Sequence, residues 1–491
     1  MGLKLLPLAD LIARAGLPKD TAAVSDVAIT GITADSRAVR SGMMFSAIAG
    51  TRVDGTGFIG QAVAQGAAAV LAASGTGWPA GVPKIPFILH AEPRQALARI
   101  AAVLAGPGPR TMVAVTGTNG KTSTVDFLRQ MWAHFNIPAA SLGTLGLVAP
   151  GHAGGGGLTT PDPVALAETL NSLARKGVTH AAMEASSHGL DQYRLDGVDL
   201  TAAGFSNLTR DHLDYHQTMG DYRAAKLRLF AKLLPAQTAA VVNADMDGDT
   251  LAELRKIAQA RHLRLISTGD AGEHWRILAT TALPHGQVLQ VSVHGVPHHI
   301  ELALPGRFQA DNVLLAAALA EVTGSANVIA ALPHLRGVRG RMELAVRLAN
   351  GAAAYVDYAH TPDALQRLLQ ALRPHTTGKL VCVFGAGGDR DPGKRPLMGA
   401  VVAKYADLAI ITDDNPRTEN AAAIRAAILS ACSGAYEIGD RAAAIAAGLA
   451  ALRAGDVLVV AGKGHEQGQS VGGDVLAFDD ASVLRTLSGA A

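Results

Sequence analysis

The chain has 491 residues, which is too long for a single hydrophobic core, so two to four domains are expected. Apolar residues make up 49% of the chain and glycines number 54, a profile typical of soluble α/β proteins. A formal net charge of +2 gives no electrostatic basis for binding nucleic acid or an anionic membrane, so neither partner is expected.

The cysteine content and the apolar runs predict a cytoplasmic protein. Cys382 and Cys432 are too few for a disulfide framework or a cysteine-based zinc site, and they suit a reducing compartment. No apolar run reaches the length of a membrane span. The first seven residues, Met1 to Pro7, lack the longer apolar core of a signal peptide.

Residues 1–90 predict a small α/β domain. Short strands and polar turns are followed by a predicted helix from Phe58 to Ala69 and a predicted strand from Ala69 to Ala72. The tripeptide Asp35-Ser36-Arg37 is compatible with an anionic or sugar-nucleotide ligand. The residues alone favour a surface turn.

A strand, a glycine-bearing loop and a helix follow in the order typical of a phosphate-binding site. A helix from Pro93 to Leu104 is predicted to end at Gly106-Pro107-Gly108-Pro109. The next strand, Met112 to Val115, leads into Thr116-Gly117-Thr118-Asn119-Gly120-Lys121-Thr122 and a helix from Thr122 to Trp132. The general pattern places a Gly where Val115 stands and therefore fails. The layout still favours a nucleotide site over an ordinary turn.

Polar residues follow several predicted strands, at the edge where parallel sheets bind ligands. Strand Val178 to Glu184 ends in a carboxylate, strand Ala202 to Ser206 leads into Asn207 to Asp214, and a further strand is predicted from Ala239 to Val242. Glu184 and His212 are candidates for holding Mg²⁺ beside phosphates. The alternative for Glu184 is a carboxylate that hydrogen-bonds a loop.

A zinc site is an alternative for the same region. His212 and His216 stand four apart with Asp214 between them. The zinc-protease pattern has Glu directly after the first His, and Leu213 occupies that place. Zinc is therefore disfavoured.

Two later segments give weaker indications of a nucleotide-binding site. A turn at Leu304 to Asn312 is predicted to open a helix from Val313 to Val322, where Asn312 either contacts a base or only caps the helix. The glycines of Gly385-Ala386-Gly387-Gly388 suggest a dinucleotide site, but the third glycine of that pattern would fall on Arg390, which rejects it.

A new strand–helix alternation starts after Gly337 to Glu343. A helix is predicted with Thr361 as its cap and Pro362 at its first position. Two polar loops, Asp413 to Arg417 and Gly462 to Glu466, each follow an apolar strand: Leu408 to Ile411 and Val457 to Val460.

Taken together, these motifs resemble the Mur ligases, ATP-dependent enzymes that form amide bonds in bacterial cell-wall synthesis. The resemblance spans nearly the whole chain. Asp35-Ser36-Arg37 with Asp54-Gly55, and Thr159-Thr160-Pro161, resemble the member that adds the third peptide residue. The loop Asp414-Asn415-Pro416-Arg417 is similar to the signature for meso-diaminopimelate rather than lysine.

The resemblance implies an α/β fold of three domains, an activity and a set of small-molecule substrates. The domains are a UDP-muramoyl-binding domain over 1–90, a central ATPase domain with a mostly parallel sheet over 91–337, and a Rossmann-like amino-acid-binding domain over 338–491. The substrates are ATP, UDP-MurNAc-L-Ala-D-Glu and meso-diaminopimelate, joined through an acyl phosphate with Mg²⁺ as cofactor. A cytoplasmic monomer is expected.

The resemblance also implies site residues at the positions that match its motifs. Catalysis is expected from Lys121, Glu184, His212 and Lys226. The expected ATP-binding residues are Gly117, Thr118, Asn119, Gly120, Lys121, Thr122, Asn312, Arg341 and Asp357. The expected metal ligands are Thr122, Glu184, His212 and Lys226 as a carbamate. The UDP-muramoyl dipeptide is expected at Ser36, Thr159, Thr160, Ser186, Gln192 and Arg194. Diaminopimelate is expected at Arg390, Asp414, Asn415, Arg417, Gly462 and Glu466.

Alternatives remain at this point. By sequence alone Lys226 is a solvated helix residue, and the charged residues of the last set form a surface ion pair. A folate or polyglutamate ligase, a metal-dependent hydrolase and a non-catalytic nucleotide-binding protein are rival functions. The first should lack the Asp414–Arg417 loop, the second should act without ATP, and the third has no need of a carboxylate site.

Overall fold

The computed structural model describes residues 6–18, 27–50, 54–154, 158–211, 213–283 and 285–489. The chain forms two compact units, Met1–Ile266 with Ala318–Ser325, and Ser267–Ala317 with Ala326–Ala491. The domain boundaries after residues 90 and 337 stay predictions. His212 lies outside the described residues. In the described part of the chain, no helix is both long and apolar enough to cross a membrane.

The first unit begins with a small parallel sheet. Its elements are β1 (Leu6–Pro7), α1 (Leu8–Arg14), β2 (Ala28–Ile29), β3 (Gly31–Thr33), β4 (Met43–Ala47), α2 (Ile59–Ala64), β5 (Ala69–Ala73), β6 (Phe87–His90) and α3 (Pro93–Ala105). Strands β3, β4, β5 and β6 pair in this order, all parallel. This confirms the predicted α/β character and the helix that starts at Pro93.

The helix predicted from Phe58 to Ala69 is shorter than expected. Gly55–Phe58 forms a 3-10 turn, and α2 covers only Ile59–Ala64. Gly66 adopts a φ of 93°, its N–H donates to Val63 O, and the next N–H reaches back to Ala62 O. This paired closure is a helix-ending motif that favours glycine, and the sequence prediction missed it.

The central part of the first unit is a strand–helix alternation. Its elements are β7 (Thr111–Thr116), α4 (Lys121–His134), β8 (Ala139–Gly143), β9 (Gly146–Ala149), β10 (His152–Gly154), α5 (Pro163–Arg175), β11 (His180–Glu184), α6 (Ser187–Asp191), β12 (Ala202–Phe205), α7 (Leu213–His216), α8 (Met219–Arg228), β13 (Ala239–Asn243) and α9 (Gly248–Ala260). Strand order within this unit is β10-β9-β8-β11-β7-β12-β13.

The five strands from β8 to β13 in that order run parallel, while β9 and β10 are antiparallel additions. The strands are buried on both faces, which explains their uninterrupted apolar sequences. Glu184 lies beside Val115, and Phe205 lies beside Thr116. The loops after β7, β11 and β12 therefore share one edge of the sheet.

The second unit combines an antiparallel meander with a parallel sheet. Its elements, two of which cross the unit boundary, are β14 (Arg264–Gly269), β15 (Trp275–Leu283), β16 (Gly286–Val293), β17 (Val296–Leu302), α10 (Arg307–Val322), β18 (Glu343–Arg347), β19 (Ala353–Asp357), α11 (Pro362–Leu372), β20 (Leu380–Phe384), α12 (Lys394–Tyr405), β21 (Leu408–Ile411), α13 (Ala421–Leu429), β22 (Tyr436–Glu437), α14 (Arg441–Ala450), β23 (Val457–Ala461), β24 (Gly468–Val471), β25 (Asp474–Ala477) and α15 (Asp480–Ser488).

The parallel sheet has the order β18-β19-β23-β20-β21-β22, with only β18 antiparallel.

Thr361 caps α11 by accepting from Ala364 N, and Pro362 is the first helical residue, as predicted. The helix predicted from Val313 starts earlier, at Arg307. Asn312 therefore lies inside α10, and the expectation that it caps the helix is wrong.

Candidate functional site

The loop between β7 and α4 has a backbone that requires glycine. Gly117 has a φ of 141°, and a Cβ there would lie 2.0 Å from Ser206 Oγ. Gly120 has a φ of 84° and directly precedes α4. None of the described side chains caps this helix start. The first N–H groups of a helix point outward from its end and are not bonded within the helix itself. Such a helix start binds phosphate oxygens.

Hydrogen bonds fasten the loop to the segment after β12. Thr118 N donates to Asn207 O at 2.8 Å, and Asn119 N donates to Asn207 Oδ1 at 2.9 Å. Thr118 Oγ1 donates to Thr209 O and accepts from Thr209 N. Two segments about 90 residues apart in sequence therefore form one rigid frame.

Lys121 bends back over this frame. Its Nζ donates to Gly117 O and to Thr118 O, both at 2.9 Å. These carbonyls hold the ammonium beside the start of α4. A phosphate bound by that helix start would meet the positive charge of Lys121.

Thr122 and Glu184 bring two oxygen donors together. Thr122 Oγ1 donates to Glu184 Oε1 at 2.9 Å, and Thr144 N donates to the same carboxylate oxygen at 2.7 Å. Glu184 is buried, and a Cβ on Gly143 would lie 2.1 Å from Oε1. A carboxylate beside a hydroxyl is the hard-oxygen set that Mg²⁺ prefers, so these residues fit that ion. Among the described residues, no group of three or more His, Cys, Asp or Glu side chains converges.

Lys226 on α8 is buried beside the phosphate loop. It is 1% exposed, its Nζ donates to Gly117 O at 2.8 Å, and the Tyr222 ring lies 4.5 Å from Nζ. The alternative of a solvated helix residue is therefore wrong. Burial, and then the charge of Lys121, holds the pKa of Lys226 well below that of an ordinary lysine. This favours the uncharged, nucleophilic amine.

Four of the six residues expected for the muramoyl dipeptide form one hydrogen-bonded cluster: Thr160, Ser186, Gln192 and Arg194. Thr160 Oγ1 donates to Glu184 O at 2.9 Å and contacts Ser186 Oγ at 3.0 Å. Arg194 donates to Thr160 O at 2.6 Å and to Gln192 Oε1 at 2.7 Å. Through these contacts the cluster continues directly into the strand end that carries the candidate metal ligand.

Thr159 and Ser36 complete this set. Thr159 Oγ1 lies 3.3 Å from Thr144 Oγ1, which in turn contacts the Glu184 carboxylate. Ser36 lies in the small N-terminal sheet, where it is buried and donates to Gln61 Oε1 at 3.2 Å. Asp35 caps the turn that contains Ser36 by accepting from Arg37 N. The turn that the residues favoured is confirmed.

The remaining nucleotide candidates belong to the second unit. Asn312 is buried in α10, and its Nδ2 donates to Gln309 Oε1 at 3.4 Å. Asp357 ends β19 and accepts from Met342 N at 2.7 Å, and burial raises the pKa of its carboxyl. The Arg341 guanidinium lies 4.8 Å from the centroid of the Tyr358 ring.

All six residues expected to bind diaminopimelate line one cavity of about 260 Å³ in the second unit. They lie on the three loops that follow β20, β21 and β23. The full lining is Tyr358, His360, Gly387, Arg390, Lys394, Asp414, Asn415, Arg417, Gly462 and Glu466. Glu466 does form an ion pair, but with a fully buried lysine, Lys463, whose Nζ lies 3.5 Å from its carboxylate; the same carboxylate accepts from Asn415 Nδ2 at 2.9 Å.

Four lining residues were missed as ligand contacts. Tyr358, His360 and Lys394 were not predicted as site residues, and Gly387 appeared only in the rejected dinucleotide pattern. Lys394 starts α12, and its Nζ donates to His360 O at 3.1 Å. Nothing in the sequence marks Lys394, because its contact depends on how the start of α12 meets the loop after β19.

Three family profiles match successive parts of the chain. The profile described as "Mur ligase family, catalytic domain" matches residues 28–103. The "Mur ligase middle domain" matches residues 115–320, and "Mur ligase, glutamate ligase domain" matches residues 340–464.

Similar proteins carry one shared name. Proteins of Caulobacter vibrioides and Bradyrhizobium diazoefficiens are both named UDP-N-acetylmuramoyl-L-alanyl-D-glutamate--2,6-diaminopimelate ligase. The first is 54% identical over 95% of this chain and 96% of its own length. The second is 53% identical over 93% of this chain and 94% of its own length.

Solved structures agree with these matches. A structure with the same ligase name is 34% identical, has a TM-score of 0.71 and covers 94% of this chain and 95% of that one. A MurF ligase from Thermotoga maritima in complex with ADP is 19% identical, with a TM-score of 0.59 and coverage of 88% and 94%. These likenesses confirm the predicted three-domain α/β fold. The profiles and the relatives, which extend along almost the whole sequence, establish that this chain belongs to the Mur ligase family.

Proposed function

We propose that this chain joins meso-diaminopimelate to the D-glutamate carboxylate of UDP-MurNAc-L-Ala-D-Glu, with ATP as the energy source, to make a peptidoglycan precursor. The observation that carries the proposal is the cavity where Arg390 and Arg417 lie together with Asn415 and Glu466. Diaminopimelate has a carboxylate beside its distal ammonium, so its recognition requires cationic and anionic groups in one place. The names of the Caulobacter and Bradyrhizobium relatives support the same substrates.

The reaction must first turn a carboxylate oxygen into a leaving group. Transfer of the γ-phosphoryl of ATP to that oxygen gives an acyl phosphate and ADP. The uncharged amine of diaminopimelate then attacks the carbonyl carbon. The new C–N bond forms, the C–O bond to phosphate breaks, and the amine proton passes to solvent. Enzymes accelerate such a transfer mainly by positioning and by offsetting charge on the phosphoryl oxygens.

The phosphate loop carries the first half of this reaction in our proposal. The start of α4 and Lys121 bind the β- and γ-phosphates, and the resemblance proposes Asn312, Arg341 and Asp357 as further nucleotide contacts. Thr122 and Glu184 would hold Mg²⁺, with His212 and the carbamate of Lys226 as further ligands. Mg²⁺ bound there would supply positive charge that offsets the charge of the phosphate oxygens.

The cluster around Thr160 carries the muramoyl dipeptide in our proposal. Its hydrogen bonds to Glu184 O and Arg194 link the dipeptide site to the candidate metal ligand. A carboxylate held by this cluster would lie at the same sheet edge as the phosphate loop. Ser36 would contribute from the N-terminal sheet to the UDP end.

A phosphate-release assay tests the proposed function. ATP, UDP-MurNAc-L-Ala-D-Glu and one amino acid at a time are mixed with the enzyme, and phosphate and the nucleotide product are measured. We expect release that requires both the dipeptide and diaminopimelate, with far less release for lysine. Release without the dipeptide would favour a hydrolase. Release with a folate substrate would favour a folate ligase.

Lys226→Ala should lower ligation by roughly 10- to 100-fold, the usual effect of losing a group that supports a metal site. The variant has no amine to form a carbamate, so added bicarbonate should not restore it. Short-chain carboxylic acids should restore part of the rate by supplying a carboxylate in the same space. The measurement is ligation rate with and without each additive.

Lys232→Ala is the matched control for this test, because Lys232 is an exposed lysine only six residues further along the same helical segment. It should keep the full rate. A fully active Lys226→Ala enzyme without additives would contradict a catalytic role for Lys226.

Arg194→Ala should raise the apparent KM for the muramoyl dipeptide by about tenfold or more, because a charged hydrogen bond contributes about 1.5–3 kcal/mol. The apparent KM for ATP should change little. The exposed Arg175 at the end of α5 offers a control, and Arg175→Ala should change neither constant. Equal increases in both constants would mean that Arg194 only supports the fold.

We further propose a cytoplasmic monomer whose partners are these small molecules. Cys382 and Cys432 are both buried free thiols, which suits a reducing compartment. The balanced net charge of +2 supports the proposal that neither nucleic acid nor a membrane is a partner.

A further inference from the structure

A fully buried lysine lies directly behind the cavity of the second unit. The side chain of Lys463, two residues after β23, is 0% exposed. Its Nζ donates to Asn415 Oδ1 at 2.9 Å and lies 3.5 Å from Glu466 Oε2 and 3.7 Å from Asp414 Oδ1. Three lining residues thus converge on one ammonium that is not itself part of the lining.

This ammonium determines which way the Asn415 amide points. Asn415 Oδ1 accepts from Lys463 Nζ and from Ser470 N, each at 2.9 Å, and two donors satisfy both lone pairs of an amide oxygen. Asn415 Nδ2 donates to Glu466 Oε2 at 2.9 Å. The Asn415 amide can therefore donate its second N–H hydrogen to a ligand. Its oxygen cannot accept from a ligand, because both lone pairs are already used.

The orientation matters because a substrate carboxylate accepts hydrogen bonds and cannot donate them. A reversed amide would place its oxygen against the Glu466 carboxylate and present an acceptor to a ligand. With Lys463 in place, reversal would also bring the NH₂ group of Asn415 against two other donors, Lys463 Nζ and Ser470 N. Without Lys463, one of the two donors that oppose the reversed state is lost, and Glu466 loses the neighbouring cation that holds its carboxylate beside the amide.

We propose that Lys463 is a positioning residue that makes the cavity select an amino acid with a distal carboxylate beside its ammonium. It acts through Asn415, which it turns to donate, and through Glu466, which it holds beside that amide. The inference rests on the proposed function and deepens it, because it names a residue outside the cavity that sets the preference for diaminopimelate over lysine.

The test uses Lys463→Met, which removes the charge and the donor while keeping a long apolar side chain. We expect the apparent KM for diaminopimelate to rise about tenfold or more and the preference over lysine to fall by a similar factor. The apparent KM values for ATP and the dipeptide should stay within about twofold. Lys463→Gln keeps a donor without the charge, so it should recover part of the preference that Lys463→Met loses.

Ile428→Val serves as the control for lost stability, because Ile428 is fully buried in the hydrophobic core of the same unit. It should leave all three KM values and the preference unchanged. Thermal unfolding of each variant shows whether it is folded before its kinetics are compared.

A folded Lys463→Met enzyme with an unchanged preference would overturn the inference. So would parallel increases in all three KM values, and so would failure of both Lys463 variants to fold, because Lys463 would then serve the fold and not selection. These outcomes leave the proposed function intact as long as the unaltered enzyme ligates diaminopimelate. If the unaltered enzyme does not, the proposed function fails and this inference fails with it.

Discussion

Lys121→Ala should reduce the rate of ATP-dependent ligation by about 10³-fold or more while the fold is kept. The Lys121 ammonium is held over the phosphate loop by the carbonyls of Gly117 and Thr118, at the start of α4. Its charge there meets the oxygens of the phosphoryl group during transfer. Alanine removes that charge, which weakens both the binding of the phosphates and the transfer step.

The measurement is the rate of phosphate release in the presence of all three substrates, together with thermal unfolding of the variant. Lys256→Ala provides the control, because Lys256 is an exposed lysine on α9 of the same unit. It should keep both rate and stability. Near-normal phosphate release by a folded Lys121→Ala enzyme would show that this loop does not act on the transferred phosphoryl group.

Arg417→Ala is expected to produce the second large effect, a loss of diaminopimelate binding of roughly 2–5 kcal/mol, or about 30-fold to several thousand-fold. Arginine binds carboxylates through a planar pair of donors, and its loss leaves the substrate carboxylate unpaired in the cavity. ATP affinity should not change. The measurement is the apparent KM for diaminopimelate, ATP and lysine in turn.

The backbone around Arg417 fixes the direction of its side chain. Arg417 has a φ of 52°, its N–H donates to Ser470 O, and its carbonyl accepts from Gly472 N. Arg417 Nη1 donates to Gly388 O at 2.8 Å. A residue held in this sparsely populated conformation by surrounding contacts is consistent with a functional position.

Arg367→Ala is the control for Arg417, since Arg367 is a half-exposed arginine on α11 that pairs only with nearby Asp363 among the described residues. It should leave all three constants unchanged. An Arg417→Ala enzyme that still prefers diaminopimelate over lysine would contradict the proposed clamp.

Much of the fold follows from local sequence signals. The apolar runs that become β7, β20, β21 and β23 are short, continuous and buried on both faces, so their strand character and parallel pairing were predictable. The β15–β17 meander was not predicted, although His294 and Gly295 both adopt positive φ at the tight turn between β16 and β17. The start of α10 was missed because nothing local separates Arg307 from the preceding turn.

The candidate site was predictable only where a motif marked it. Gly117 and Lys121 were found because phosphate binding imposes a fixed local pattern. Lys226 is different, because its burial beside Gly117 O depends on how α8 packs against a loop 109 residues away. Lys463 was visible in the sequence as part of a polar loop, but only the structure shows that its ammonium lies behind the cavity.

The central claim is that the chain ligates diaminopimelate through an acyl phosphate, and one labelling measurement tests it most directly. The D-glutamate carboxylate of the muramoyl dipeptide is enriched in heavy oxygen, and the enzyme is supplied with ATP and diaminopimelate. Mass spectrometry then follows the label. We expect a nucleotide product extended by one diaminopimelate, with one heavy oxygen transferred to the released phosphate. Phosphate without the label, or an unextended nucleotide, would contradict it.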